Sequence, residues 1–212
     1  MLQRYTDRAA LLATHGKNGA LVDADLSFLD LSELDLSGLD LSGALMSGSR
    51  LQGTLFDGCD CSSIFVQKAD LTGAQFSRAH LEEAFFQHTI LRQCNFSDAV
   101  MTGAKILVCQ LENGRLCRAD LTDGQLLGTN LMGADFSGAS LRRASLREAM
   151  LEGAQLVSCD LRETDFRKAD VQNAVVRDVR AAGALFYGKA PWAVDTAEVT
   201  DWDRQLPRFD GE

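Results

Sequence analysis

From Leu21 onward every fifth residue is apolar. The series runs Leu21, Leu26, Leu31, Leu36, Leu41, Met46, Leu51, Phe56 and on to Phe186, 34 positions in one register without an insertion. Only Cys61 and Ala181 among them are small. Two residues before each large site lies a second restricted position. It is Ala at 69, 74, 79, 84, 134, 139, 144, 149 and 154, and Cys at 59, 94, 109 and 159. A fixed period of this kind marks a repeat architecture, and five residues suit neither regular element. On an α-helix they advance the stripe by about 500°, so it drifts by about 140° per repeat and never forms a face. In a straight strand an odd period sends successive large residues to opposite sides. Both sites stay inside only if the chain turns a corner in every repeat, and the result is a coil.

Phenylalanine spacing sets the number of corners. Phe56/Phe76, Phe76/Phe96 and Phe166/Phe186 are twenty apart at the large site, and no such pair is fifteen apart. Like residues stack on like in a solenoid, so four repeats per coil fit better than three. With coils ~4.8 Å apart, about eight and a half coils make a rod roughly 40 Å long. The register predicts Leu121 buried and Thr122 exposed, with Ala139 and Ala144 in narrow inward sites.

Runs such as Ala24-Asp25-Leu26-Ser27-Phe28, Ala69-Asp70-Leu71-Thr72-Gly73 and Ala134-Asp135-Phe136-Ser137-Gly138 resemble the A-(D/N)-L-x-x consensus of pentapeptide-repeat proteins. The resemblance covers about four-fifths of the chain. It implies an all-β fold, a right-handed quadrilateral β-helix with stacked Leu/Phe ladders and small residues at the corners. Residues 20–188 form the expected solenoid. Residues 1–19 are the expected N-terminal cap, because Tyr5, Ala9 and Leu12 have helical spacing before the stop Gly16-Lys17-Asn18-Gly19. Residues 189–212 leave the pattern and hold both prolines (Pro191, Pro207) and both tryptophans (Trp192, Trp202). They are expected to be an irregular or helical cap over the open end, or, as the family implies, a dimerisation tail.

Composition narrows the chemistry. The net charge of −9 excludes general binding to nucleic acid, which needs a basic stripe. That charge is terminal: residues 21–60 carry eight acids against one base, residues 191–212 six against two, and residues 61–190 fifteen of each. No stretch approaches a membrane span and the N-terminus has no apolar signal core, so a cytoplasmic location is the default expectation. Cys59, Cys94, Cys109 and Cys159 occupy the small inward site as methyl substitutes, and only Cys117 is expected to face outward. His15 falls in the expected cap, and His80 and His88 lie on adjacent walls, with no cysteine or carboxylate expected to be arranged around them. Asp25, Asp30, Asp35 and Asp40 all precede a large residue, where an Asp serves the turn backbone better than a ligand. No catalytic residue, metal site or cofactor site is expected.

Two functions remain. One is a non-catalytic scaffold or adaptor that binds a protein partner. The other, implied by the family, is an acidic DNA mimic that modulates or protects DNA gyrase, a type II topoisomerase, as a dimer. Unrolling the coil points to the surface involved. Repeats 24–28, 44–48, 64–68, 84–88, 104–108 and 124–128 stack in one wall, whose outward residues include Phe28, Leu45, Phe65, Phe85, Leu107, Val108 and Leu127. This stripe is either a partner interface or a surface ladder that ties the coils together. Val100, Ile90 and Leu55 are scattered over the other walls.

Overall fold

The computed structural model describes residues 5–7, 9, 11 and 21–187. Within 21–187 the five-residue pattern becomes a solenoid whose coils take twenty residues each. Bridges join Asp25 to Leu45, Asp30 to Arg50, Asp35 to Leu55 and Asp40 to Asp60, all parallel, and the series continues to Asp165 and Leu185. Four bridges and four turns therefore make one coil. Repeats twenty apart stack into four walls: wall 1 from residues 24–28, wall 2 from 29–33, wall 3 from 34–38 and wall 4 from 39–43, each recurring every twenty residues. In the first coil, Leu21, Val22 and Asp23 also belong to wall 4.

The backbone explains why the repeat has five residues. In the repeats of the inner coils three N–H groups bond to a neighbouring coil, as Leu26 does to the Leu45 carbonyl (2.8 Å), Leu45 to Ala24 (2.9 Å) and Phe28 to Ser47 (2.9 Å). In most repeats a fourth closes the corner, as Leu34 N–H does on the Leu31 carbonyl (3.2 Å). Where Asp or Asn precedes the large residue, the fifth goes to its side chain: Ser27 N–H donates to Asp25 Oδ1 (3.1 Å), Ser37 to Asp35 (3.0 Å), Thr122 to Asp120 (3.0 Å) and Ser137 to Asp135 (2.9 Å). Buried or crowded backbone donors need partners, so Asp or Asn before the large residue completes the set. These aspartates are turn residues, as the sequence suggested.

The inward positions pack as expected. Leu121, Phe56, Phe136 and Leu146 are fully buried, and Ala139 and Ala144 are enclosed. Phe56, Phe76 and Phe96 stack along wall 3 with centroids 4.6 and 5.0 Å apart. Thr122 departs from expectation. It is half-buried, because its hydroxyl donates to Asp120 Oδ1 (2.5 Å) and lies 3.0 Å from Ser140 Oγ.

Five segments extend into three-residue strands. Strands β1 (Phe65–Gln67), β2 (Phe85–Gln87) and β3 (Lys105–Leu107) pair in parallel on wall 1, and β4 (Gln155–Val157) pairs with β5 (Val175–Arg177) on wall 3. Their central residues are Val66, Phe86, Ile106, Leu156 and Val176, mostly β-branched or aromatic, which favours extended backbone.

At one end Tyr5 and Leu11 are buried against the first coil, Tyr5 N–H meets the Asp25 carbonyl (3.2 Å), and Leu11 N–H meets Asp7 O (3.2 Å) with helical spacing. At the other, Val171, Val176, Val179 and Phe186 are only half-buried. The rest of the expected N-terminal cap, and the whole of 189–212, lie outside the described residues.

Candidate interaction surface

The corner geometry decides what is unusual on the surface. The second residue after each large site has φ between +50° and +78° in every repeat from Asp23 to Gly183. Left-handed backbone suits Gly, and Asn or Asp tolerate it, but it strains bulky or β-branched side chains. Most of these sites hold Gly or a polar residue. Two hold large apolar residues, Phe28 (φ 63°) and Val108 (φ 52°), and both are on wall 1. Phe28 is 77% exposed and Val108 50% exposed, so burial does not offset the strain at either. The Phe28 ring lies over Gly48 of the next coil, where a Cβ would collide with it at 2.6 Å.

The other wall residues fill in around them. Phe65 and Leu127 are exposed, while Leu45, Phe85 and Leu107 are half-buried. Phe65 and Phe85 stack with parallel rings 5.0 Å apart across β1 and β2, so the ladder exists. Of the eight exposed large apolar residues among those described, five are on wall 1, the fifth being Tyr187. Sequence reasoning passed over Tyr187, Val22 on wall 4, and Met132 with Met150 on wall 2. It also missed the strain, although glycine recurs at the same corner position from Gly38 to Gly58 and marks Val108 as out of place.

Charge separates the walls further. Over residues 21–187 wall 1 has five cations (Lys68, Lys105, Arg147, Arg167, Lys168) and three acids (Asp25, Glu148, Asp165), a net of +2. By the same count walls 2, 3 and 4 stand at −4, −1 and −5. Arg167 pairs with Asp165 (2.7 Å) and Lys168 with Glu148 (3.2 Å). Lys68, Lys105 and Arg147 have no ion-pair partner among the described residues, and Arg147 Nε is buried without a hydrogen bond.

The buried thiols are held by the neighbouring coil. The thiols of Cys59, Cys94 and Cys159 point at main-chain oxygens of the preceding coil, 2.9 to 3.0 Å away. Burial pushes the Cys109 thiol up to about 11 and the Cys159 thiol up to about 12, so both stay protonated at neutral pH. Cys117 is half-exposed and donates to Asp135 Oδ2 (3.2 Å). Contrary to expectation His80 has a carboxylate beside it, Glu82 at 3.4 Å on the outer face of wall 4, because residues two apart across the large site both point outward, and His88 is exposed on wall 1. The shallow groove between walls 4 and 1 is lined by Asp123, Leu127, Arg143 and Arg147. Arg143 holds Asp123 bidentately at 2.7 and 2.6 Å and keeps its carboxyl below the usual range, the opposite of what a general acid needs. Among the described residues no cluster of His, Cys, Asp and Glu has metal-site geometry, and no helix is long and apolar enough to cross a membrane.

A rod of stacked coils with one apolar, strained wall defines a β-solenoid repeat protein. The model of the pentapeptide repeats family matches residues 21–65, 66–106, 109–138 and 139–178, in 8 copies, and the chain belongs to that family. Its members form right-handed β-helices. Among solved structures, QnrB1, a plasmid-mediated fluoroquinolone resistance protein, is 17% identical, with 87% of each chain covered and a TM-score of 0.47. HetL, a pentapeptide repeat protein involved in heterocyst differentiation regulation from the cyanobacterium Nostoc sp. strain PCC 7120, is 23% identical over 86% of this chain and 98% of its own, with a TM-score of 0.29. Rfr23, from the cyanobacterium Cyanothece 51142, is 16% identical over 84% and 96%, with a TM-score of 0.23. No curated protein sequence matches the chain.

Proposed function

We propose that the protein is a non-catalytic interaction scaffold, a right-handed quadrilateral rod that docks a protein partner on wall 1. The observation that carries this reading is the pair Phe28 and Val108. An exposed apolar side chain on left-handed backbone adds strain without burial, and strained outliers concentrate where function requires them. Phe65, Phe85 and Leu127 continue the same surface, and aromatic residues are typical anchors of interface cores. The Phe65–Phe85 stack serves the coils as well, so ladder and interface are compatible on one wall. The test is Phe65→Ser with Phe85→Ser, followed by light scattering and by comparative capture of partners from the native cell. Association is expected to be lost while the rod stays folded by circular dichroism. Association unchanged in that folded variant reduces the wall to a ladder.

A second reading has its own observation. Over the first five coils wall 4 carries Asp23, Asp40, Asp60, Glu82, Glu83, Asp120 and Asp123, with no base before Arg142. This tract supports a DNA-mimicking modulator of gyrase. A duplex presents two lines of phosphate, however, and the opposite wall 2 is interrupted by Arg50 and Arg92. Asp40, Asp60 and Asp120 also each commit an oxygen to a turn N–H. The scaffold therefore ranks first. A gyrase supercoiling assay is expected to show no strong effect at micromolar protein. A potent effect that disappears when Asp23, Glu83 and Asp123 are neutralised reverses the order.

A further inference from the structure

An acidic and apolar stretch of the chain follows the last repeat of its one net-cationic wall. Phe186 is the last inward residue of wall 1, and the exposed Tyr187 follows it on the same wall. Residues 192–203 then carry Asp195, Glu198, Asp201 and Asp203 with no Lys or Arg, interleaved with Trp192, Val194, Val199 and Trp202. We propose that residues 188–212 dock back along wall 1 and cover the surface that a protein partner takes. The inference rests on the reading of wall 1 as a docking surface, and makes the segment an internal competitor for it.

Charge and apolar area select the wall. Wall 1 alone combines a net positive charge with a run of exposed large apolar residues. Among the described residues Lys68, Lys105 and Arg147 have no ion pair there, and the buried Arg147 Nε has no acceptor of the kind a carboxylate supplies. Walls 2 and 4 repel the segment at −4 and −5, and wall 3 has no large apolar residue among those exposed. The half-buried Val171, Val176, Val179 and Phe186 at the rod end offer apolar contact. A segment resting only there leaves the four acids of residues 192–203 beside Asp165, Asp170 and Asp178 and about four coils from Lys105.

Reach is ample. Leu127 is three coils back from Tyr187, ~14 Å, and Phe65 is six coils back, ~29 Å. The 25 residues of 188–212 span up to roughly 80 Å when extended. Tethering also turns a weak contact into a populated one, because a short linker holds the local concentration in the millimolar range.

The two tryptophans of the chain, Trp192 and Trp202, both lie in this segment, so tryptophan emission of the full-length protein reports on it alone. The reference is the free peptide 188–212. In the intact chain the emission is expected to be blue-shifted from the peptide and less quenched by acrylamide, and to move back toward the peptide at high salt. Two pairs of substitutions far from the rod end, Val108→Ser with Leu127→Ser and Lys68→Glu with Lys105→Glu, are each expected to release it, with circular dichroism unchanged. Emission identical to the peptide in the wild-type chain overturns the proposal. So does a blue shift that neither pair alters, which places the segment on the rod end, and so does one lost on dilution, which places it on another copy. If the tryptophans ignore wall 1 while partner capture still depends on Phe65 and Phe85, only the tail inference fails. If capture also ignores Phe65 and Phe85, the wall reading fails with it.

Discussion

At the residue scale the repeat has two inward sites with opposite tolerances and one corner site with a backbone constraint. Leu121 is fully enclosed, so Leu121→Ala is expected to destabilise the rod by ~2–5 kcal/mol in urea unfolding, the range for cavity-forming truncations. Ala144 has no space beside it, and Ala144→Leu is expected to cost ~1–3 kcal/mol through overpacking. A wild-type melting curve for the second variant contradicts an enclosed small site. The corner predicts the reverse sign. Left-handed backbone costs a β-branched residue roughly 1–2 kcal/mol, and glycine returns roughly 0.5–1 as extra freedom of the unfolded chain. Val108→Gly should therefore stabilise the rod by about 0.5–1 kcal/mol while weakening partner association. Stability gained with association intact removes the functional reason for Val108.

At the scale of the coil, the contact between turns is a matter of donors and acceptors. Ser49, Thr54, Thr129 and Thr164 sit at the small site and donate their hydroxyls to carbonyls of the preceding coil, at Leu26, Leu31, Ile106 and Leu141. These bonds are not equivalent. The Leu31 carbonyl also takes the Leu34 N–H (3.2 Å). Beside the Ile106 carbonyl, the Cys109 N–H turns instead to Thr129 Oγ1 (3.5 Å), leaving that hydroxyl, at 2.6 Å, to serve the carbonyl. Thr129→Val then leaves a buried acceptor unsatisfied and is expected to cost ~1–3 kcal/mol, whereas Thr54→Val is expected to cost under about 1. Equal losses in chemical denaturation would falsify this assignment. The same logic explains the cysteines at 59, 94 and 159, whose thiols occupy the hydroxyl's place.

For the whole molecule, stability in a solenoid is close to a sum over neighbouring coils, so its pH dependence is a sum over the carboxylates that tie them. The Ser62 hydroxyl and N–H hold Asp60 below the usual 3.8, and Arg162, with its own N–H and Arg180, does so for Asp160. Burial works against Asp70, Asp135 and Asp165, yet hydrogen bonds from Thr72, Ser137 and Arg167 leave them lowered as well. Each binds its proton less readily in the rod than in the unfolded chain, so acid favours unfolding. Their contribution is full above about pH 5 and disappears as pH falls through the folded values, below 3.8. The melting temperature is expected to be flat from neutral pH to about 5 and to fall below about 4. Asp160→Asn should lower it at neutral pH, by unpairing Arg162 and Arg180, and shrink the acid loss. An acid limb as steep as wild type excludes Asp160 from the linkage.

The sequence by itself determined the coil. A strict five-residue period leaves no straight element that can hide both Leu121 and Ala119, and the twenty-residue recurrence of Phe56, Phe76 and Phe96 set the number of corners. It also placed the wall 1 stripe, because outward direction follows from register alone. It did not determine how each outward residue is used. Thr122 is exposed by register, but its hydroxyl finds Asp120 and Ser140, a partner eighteen residues away in the next coil. Phe28 and Val108 read simply as apolar until the corner dihedrals show that their backbone is left-handed. The balance of charge hid a cationic wall, because Lys68, Lys105 and Arg147 are far apart along the chain and come together only by stacking. Periodicity fixes which side of the backbone a residue occupies. Its neighbours across the coils, and hence its strain, its pairing and its field, belong to the tertiary structure, because they come from residues a full coil away.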